Sequence, residues 1–454
     1  MENGYVAAGG FSIYSSILKK IGNEPEKIDV VEKLIMNSSN RVLHSFGSNL
    51  NKKKKFNSSN YVETFVNGLN ALKDKNSVTK KLKVYIDSGG FQCAMGYLTK
   101  NEMKSFVDCY YDFLNNNSTL YDYAFSLDLP PADSLYNSWD DMYDYNYYSY
   151  KKLFVESSDE VRKKLLFVKQ FRTPSQYYVW NKILNDKDII NSFTSNYWSI
   201  GGIVANLGGE SAIPYITYCI PFSDIFQWCK NNGKTNIAIH ILGGCSYRDL
   251  FFYSLVKRYM KLKYNFEVNF TYDSSGLIKQ ILMGRFINII TEDNTILKLS
   301  FLSRLINEKI GSHKTVKETL MDSFTRMFNY YNITPLLPDS IYKGDKLNPY
   351  AELLLTIYQL FIFDYLKNDY DSFVNNMSLD QFEHEDTFNS IIYDKLLKIN
   401  GGKLSIKYKN KANNFYRSIQ HLNIYDSNKN KELIDHYMAK DEIKFGIGQE
   451  METF

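Results

Sequence analysis

Cysteine and proline are scarce in this chain of 454 residues, with 5 Cys and 9 Pro. The cysteines are Cys93, Cys109, Cys219, Cys229 and Cys245, an odd number with no two at C-x-x-C spacing. This argues against a disulfide framework and predicts a reduced, cytoplasmic setting. No G-x-G-x-x-G follows the first strand-like run, so the fingerprint of a dinucleotide-binding sheet is missing. Long apolar runs are missing too. The most apolar segment, YAELLLTIYQLFIFDYL at 350–366, carries Glu352, Gln359 and Asp364, falls short of a membrane span and reads as a buried helix. The opening MENGYVAAGGFSIYSS has no basic stretch ahead of an apolar core, so no signal peptide is expected. Charge is nearly balanced at a formal +4, which permits a polyanionic partner without requiring one.

What is present is ordinary for a soluble globular protein: 44% hydrophobic and 23% charged residues. The length suits one large domain and a smaller one. The 37 tyrosines fit the coding bias of an AT-rich genome, which also favours Lys, Asn and Ile, so their abundance carries no functional weight.

Short apolar runs recur along the first part of the chain. They are YVAAGG (5–10), RVLHSFG (41–47), VYIDSGG (84–90), YAFSLDLP (123–130), LLFVKQF (165–171), YWSIGGIV (197–204), IAIHILGG (237–244) and VNFTYDSS (268–275). Their starts lie roughly 30 to 45 residues apart, the space taken by a strand, a loop, a helix and a loop. MKSFVDCYYDFLNN and YRDLFFYSLVKRYMKL fill two of the gaps with helical periodicity. Eight such units predict an α/β fold, a (β/α)8 TIM barrel over residues 1–290. A doubly wound open sheet is the rival, but it does not call for eight strands.

Polar residues and glycines cluster where the runs stop: Asp87, Asp128, Gln170, the pair Gly201–Gly202, His240 and Asp273. In a parallel barrel all these stops share the C-terminal face, where active sites of this fold are built. A lone aspartate at a strand end is usually a helix N-cap, but a series on one face is harder to explain that way. The glycines after Asp87 allow a flat ligand or another backbone to approach closely. His240 reads as a hydrogen-bonding strand-end residue rather than a metal ligand.

The motifs at these stops carry a family resemblance over about residues 85–280. DSGGFQ (87–92) resembles the signature of the queuine tRNA-ribosyltransferase superfamily, the guanine-exchanging transglycosylases. SLDLPP (126–131) resembles the segment holding that family's base-recognition aspartate, and FVKQF (167–171) its glutamine strand. IGGIVANLGGE (200–210) resembles its GGLAVGE-type loop with two extra residues. IHILGG (239–244) resembles its Y-L-M-G-type strand, and FTYDSS (270–275) the strand with the nucleophile.

The resemblance implies an enzyme, a pentosyltransferase that replaces guanine in a nucleic acid with a free 7-deazaguanine base. Asp273 would be the nucleophile, attacking C1′ to form a covalent sugar–enzyme intermediate. Asp87 would be the general acid/base. Asp128 would accept from the N1–H and amino group of the base, while Gln170 and the backbone N–H of Gly202 would donate to O6. Ser88, Gly89, Phe91 and Leu242 complete the implied substrate-binding set. Phe91 and Leu242 stand where the family sandwiches the flat base, though ordinary core packing explains Leu242 equally well. Glu210 matches the loop acid only if the two extra residues are accommodated.

The departures are informative. The tRNA enzymes carry a C-x-C-x-x-C plus histidine zinc site after the nucleophile, whereas no cysteine follows Cys245 here, so neither zinc nor any other cofactor is expected. DSSGLIKQILMGRF also replaces the family's P-T-R segment. Residues 291–454 read as a mainly helical C-terminal extension with a nucleic-acid-binding role open to it. LKLSFLSRLINEKI, VKETLMDSFTRMFNYY and FNSIIYDKLLKI are its amphipathic candidates, and ITPLLPDSIYKGDKLNP its internal loop. This pattern is closest to the DNA-directed, DpdA-type enzymes of phages and bacteria, and implies DNA as the partner and the host cytoplasm as the setting. tRNA is the alternative polymer, and a non-catalytic nucleic-acid-binding accessory subunit the alternative class. Lys52–Lys55 and KLSIKYKNK (403–411) are candidate phosphate contacts, and YNSWDDMYDYNYYSYKK (136–152) offers either stacking aromatics or a packed helix.

Overall fold

Every apolar run carries a strand. The computed structural model places β1 at Gly4–Ala8, β2 at Arg41–Ser45, β3 at Lys83–Asp87 and β4 at Tyr123–Phe125. β5 is Leu165–Gln170, β6 Tyr197–Gly201, β7 Asn236–Ile241 and β8 Glu267–Asp273. The strands form a closed barrel in sequence order, all neighbours parallel, with β8 returning to β1 through Gly4↔Thr271 and Val6↔Asp273. This is a (β/α)8 TIM barrel, and its closure rules out the open sheet. The structure describes residues 4–22, 24–129, 136, 138–171, 174–201, 215–244, 246–273, 286–291, 295–300, 309–310, 314–343, 346–399, 406–422 and 432–434.

The two-residue period of a strand sorts side chains between interior and helix layer. Val6, Tyr85, Phe125, Leu166 and Val168 form a small cluster inside the barrel, with Leu43, Tyr123, Tyr197 and Leu242 against it. The alternate residues, such as Val84, Ile86, Phe167, Ile200, Ile239 and Phe270, belong to the larger core under the helices. Counting by twos from the inner cluster, Ser45, Asp87, Gln170, Gly201 and Asp273 all face the interior at the last turn of their strands. That parity makes a polar mouth above an apolar plug.

The helix after β1 is Gly10–Ile21, that after β3 Met103–Asn116, that after β4 Trp139–Tyr150 and that after β7 Tyr247–Tyr264. The helix packed over the β8–β1 seam comes from much later in the chain. Pro349–Asn375 lies against β1 and against the helices Gly10–Ile21 and Tyr247–Tyr264, the place of an eighth barrel helix. Its Phe363 stacks on Tyr5 of β1 at 5.3 Å and lies 6.4 Å from Tyr272 of β8. This is the segment read as a buried helix, and no helix among the described residues is long and apolar enough to cross a membrane.

One element differs from its expectation. LKLSFLSRLINEKI begins as a strand, with Ile296–Ser300 paired antiparallel to Phe286–Ile290. The alternation in ILKLS fits a strand as well as a helix, and FINII lies close enough in sequence to close a hairpin. The hairpin is fastened to the seam helix through Gln359, which accepts from Asn288 N at 3.0 Å and donates to Asn288 O at 2.9 Å. The other two candidates are helices, within Val316–Tyr330 and Glu385–Ile399.

Candidate active site

At the end of β3 the chain must turn at once beneath its neighbour. Gly89 has φ +87°, and a β-carbon there would stand 2.7 Å from the Cα of Gly47, which follows β2. Glycine is needed because the backbone is left-handed and another backbone occupies the side-chain space. The close approach brings Ser45 beside Asp87, its partner in the ladder, and the Ser45 hydroxyl hydrogen-bonds that carboxylate. Ser88 is buried, whereas Phe91, on the single turn that follows, is 56% exposed.

Asp128 is placed by side chains rather than by a sheet. β4 leaves the ladder after Phe125, and Val168 N donates to the Ser126 hydroxyl at 2.9 Å instead of to a carbonyl. Asn146, buried on the helix Trp139–Tyr150, then acts as a strand would. Its Oδ1 accepts from Leu129 N at 2.8 Å and its Nδ2 donates to Leu129 O at 3.1 Å. Ser149 on the same helix donates to Leu127 O at 2.7 Å. Asp128, held between these anchors, is buried and accepts from Nε2 of Gln170 at the end of β5. Gln170 in turn depends on Gly201, because a β-carbon there would meet its amide.

Asp273 ends β8 with one oxygen doubly bonded to donors. Oδ1 accepts from the Gly243 backbone N–H at 2.9 Å and faces His240 Nε2 at 3.2 Å. His240 is fully buried on β7, with Nδ1 2.9 Å from the Thr271 hydroxyl and its ring edge-on to Phe125 at 4.8 Å. It is the hydrogen-bonding residue expected, and its partner is the candidate nucleophile. Leu242, next along, is half-buried against the inner apolar cluster.

The carboxylates feel one another. Burial raises the Asp87 carboxyl above its ordinary range, and the negative charge of Asp273 adds to the rise. The Ser45 hydrogen bond and the Gly89 N–H pull in the opposite direction. Burial also pushes the Asp128 carboxyl from 3.8 up to about 7, against the Gln170 hydrogen bond and with a further rise from Asp87. The mouth therefore holds two carboxyls, Asp87 and Asp128, whose burial favours the protonated form.

Asp87, Asp128, Gln170, His240 and Asp273 thus converge at the C-terminal mouth, with Ser88 and Gly89 on the turn that leaves it. Gly202 and Glu210 lie outside the described residues, as does the DSSG turn beyond Asp273. Sequence reasoning missed three supports: Ser45, Thr271 and Asn146. Ser45 was within reach as the last polar residue of the second apolar run, RVLHSFG. The tyrosine-rich segment forms a packed helix, with Met142, Asn146, Ser149 and Tyr150 buried. Lys52–Lys55 are exposed on the loop after β2, at the C-terminal end of the barrel strands. The lysine-rich run 403–411 enters the helix Ile406–Gln420 from residue 406 onward. No group of three or more His, Cys, Asp or Glu among the described residues could hold a metal ion. Compared with known proteins, the chain matches no protein-family model and none of the curated proteins.

Proposed function

We propose that the protein is a nucleic-acid guanine transglycosylase that exchanges guanine in DNA for a 7-deazaguanine. The observation that supports this best is the pair Asp87 and Asp273, inward-facing at one barrel mouth and close enough for one charge to shift the other's titration. Asp273 attacks C1′ of the target nucleotide, and the C1′–N9 electron pair leaves with guanine, protonated by Asp87. The incoming base gives its N9 proton to Asp87, attacks C1′ and returns the bonding pair to the Asp273 carboxylate. The raised Asp87 carboxyl suits a group that must first give and then take a proton.

Asp128 and Gln170 form a polar edge complementary to guanine. The carboxylate accepts from N1–H and the 2-amino group. A primary amide has two N–H bonds, so Gln170 holds Asp128 with one and offers the other to O6. Exposed Phe91 supplies a flat face at the entrance. A base inside a duplex cannot reach this pocket, so the target nucleotide is extruded. DNA is favoured over tRNA because the zinc-ligand cysteines and the P-T-R segment of the tRNA enzymes have no counterparts in this sequence.

The test supplies labelled 7-cyano- and 7-aminomethyl-7-deazaguanine with either duplex DNA or total tRNA. Label in DNA alone is expected. Label in tRNA alone reverses the polymer but keeps the chemistry, and label in neither defeats the enzyme reading in favour of an accessory subunit. Abasic sites formed without free base would instead indicate a hydrolase.

A further inference from the structure

Within the transglycosylase reading, the two oxygens of Asp273 are not equivalent. Oδ1 takes the Gly243 N–H at 2.9 Å and the His240 ring nitrogen at 3.2 Å. Among the described residues, Oδ2 accepts no hydrogen bond. We propose that His240 is the positioning residue of the nucleophile: anchored by Thr271, it ties Oδ1 and leaves Oδ2 as the oxygen that bonds to C1′.

The chemistry of the partners sets the ring's tautomer. A carboxylate can only accept, so the contact to Oδ1 requires the proton on Nε2. Nδ1 of the neutral ring is then an acceptor, and the Thr271 hydroxyl at 2.9 Å is its donor. Thr271 and His240 are ladder partners on β8 and β7, so the sheet itself sets their spacing. Phe125 lies edge-on to the ring at 4.8 Å and Tyr85 flanks it at 6.3 Å, so neighbours hold the ring as well as the contacts at both its nitrogens. The chain Thr271–His240–Asp273 is therefore rigid, and it has no direct part in proton transfer to the base.

Its effect falls on the second half of the reaction. When Oδ2 bonds to C1′, Oδ1 becomes the carbonyl oxygen of a glycosyl ester. When the incoming N9 displaces the ester, the Oδ2–C1′ pair returns and negative charge spreads over both oxygens. Two donors already aimed at Oδ1 stabilise that charge as it develops, without reorganisation. His240 and Gly243 thereby make Asp273 a better leaving group than an unsupported carboxylate.

Two measurements test this. In a long-range nitrogen–proton NMR spectrum of the labelled protein, one of the 6 histidines must disappear in His240→Gln and, in wild type, show the Nε2–H tautomer. The Nδ1–H tautomer overturns the proposal. In the exchange assay, His240→Phe should lower kcat by about 10- to 100-fold with little change in KM, the usual scale for losing a hydrogen bond to a charged group. His240→Gln, whose amide nitrogen reaches the ring Nε2 position, should recover most of the loss. If His240→Phe does not fold, the Gln variant and the wild-type tautomer still decide. Wild-type exchange with a His240→Phe rate equal to it overturns the proposal. No exchange by wild type with the Nε2–H tautomer present defeats the transglycosylase reading and leaves the orientation of Asp273 supported.

Discussion

A β-carbon on residue 201 would lie 2.4 Å from Nε2 of Gln170, so the facing ends of β5 and β6 accommodate this glutamine only opposite a glycine. Gly201→Ala should push the amide off Asp128. The expected result is weaker guanine binding and slower exchange in a protein that still folds, since the amide is the movable partner. A crystal structure of the variant with the Gln170–Asp128 bond intact would refute this.

Asp273→Asn should abolish exchange and with it any covalent protein–nucleic acid adduct, because an amide cannot form and release the glycosyl ester. Asp87→Asn should also stop turnover, because the amide can neither protonate the departing guanine nor take the N9 proton of the incoming base, while the fold and nucleic-acid binding persist. Unchanged turnover in both variants would mean that the reacting groups lie elsewhere.

Asp128 carries a pH signature in stability. Its carboxyl titrates at about 7 in the folded chain against an ordinary 3.8. Between these values the folded state holds a proton that the unfolded state has lost. The stabilisation is fully present below pH ~4 and is lost as the pH rises through ~7, on the order of 4 kcal/mol at most. Asp128→Asn should remove this decline, as read from urea midpoints at pH 5 and pH 8. Guanine binding by the wild type should strengthen over the same rise in pH, because the ionised carboxylate is the better acceptor. A wild-type stability that climbs from pH 5 to 8 relative to Asp128→Asn would contradict the sign.

Asn146 replaces a missing strand neighbour for Leu129. Asn146→Ala leaves a buried N–H and C=O without their partner, a loss of about 1–3 kcal/mol. Chemical denaturation should show that loss, and exchange assays should show base selectivity falling more than nucleic-acid affinity. Selectivity unchanged despite lower stability would separate Asn146 from the Asp128 segment.

The barrel was legible because eight apolar runs recur at a roughly regular spacing, and six of them stop at a polar residue or a glycine pair. Asp87, Asp128, Gln170 and Asp273 could be named because their types and order resemble a known pattern. Their supports were not legible, for a physical reason. The bonds from Asn146 to Leu129 and from His240 to Asp273 join residues far apart in sequence, and their pairing depends on strand register and helix orientation. The eighth helix was hidden likewise: nothing in residues 350–366 says which seam they cover. The strand Ile296–Ser300 was missed because five residues of ILKLS satisfy two periods at once.

The register of the last strand pair has a consequence for how the protein comes into being. Val6 is the ladder partner of Asp273, so the backbone of the candidate nucleophile is secured by a strand far removed from it in sequence. Contacts so distant in sequence form late, after the entropy of closing the intervening loop has been met. A partly opened chain can pair its middle strands and still lack the assembled polar mouth. The mouth of the barrel is complete only when the ring has zipped shut between β8 and β1. Local release of β1 would free the backbone of Asp273 well before the rest of the barrel unfolds.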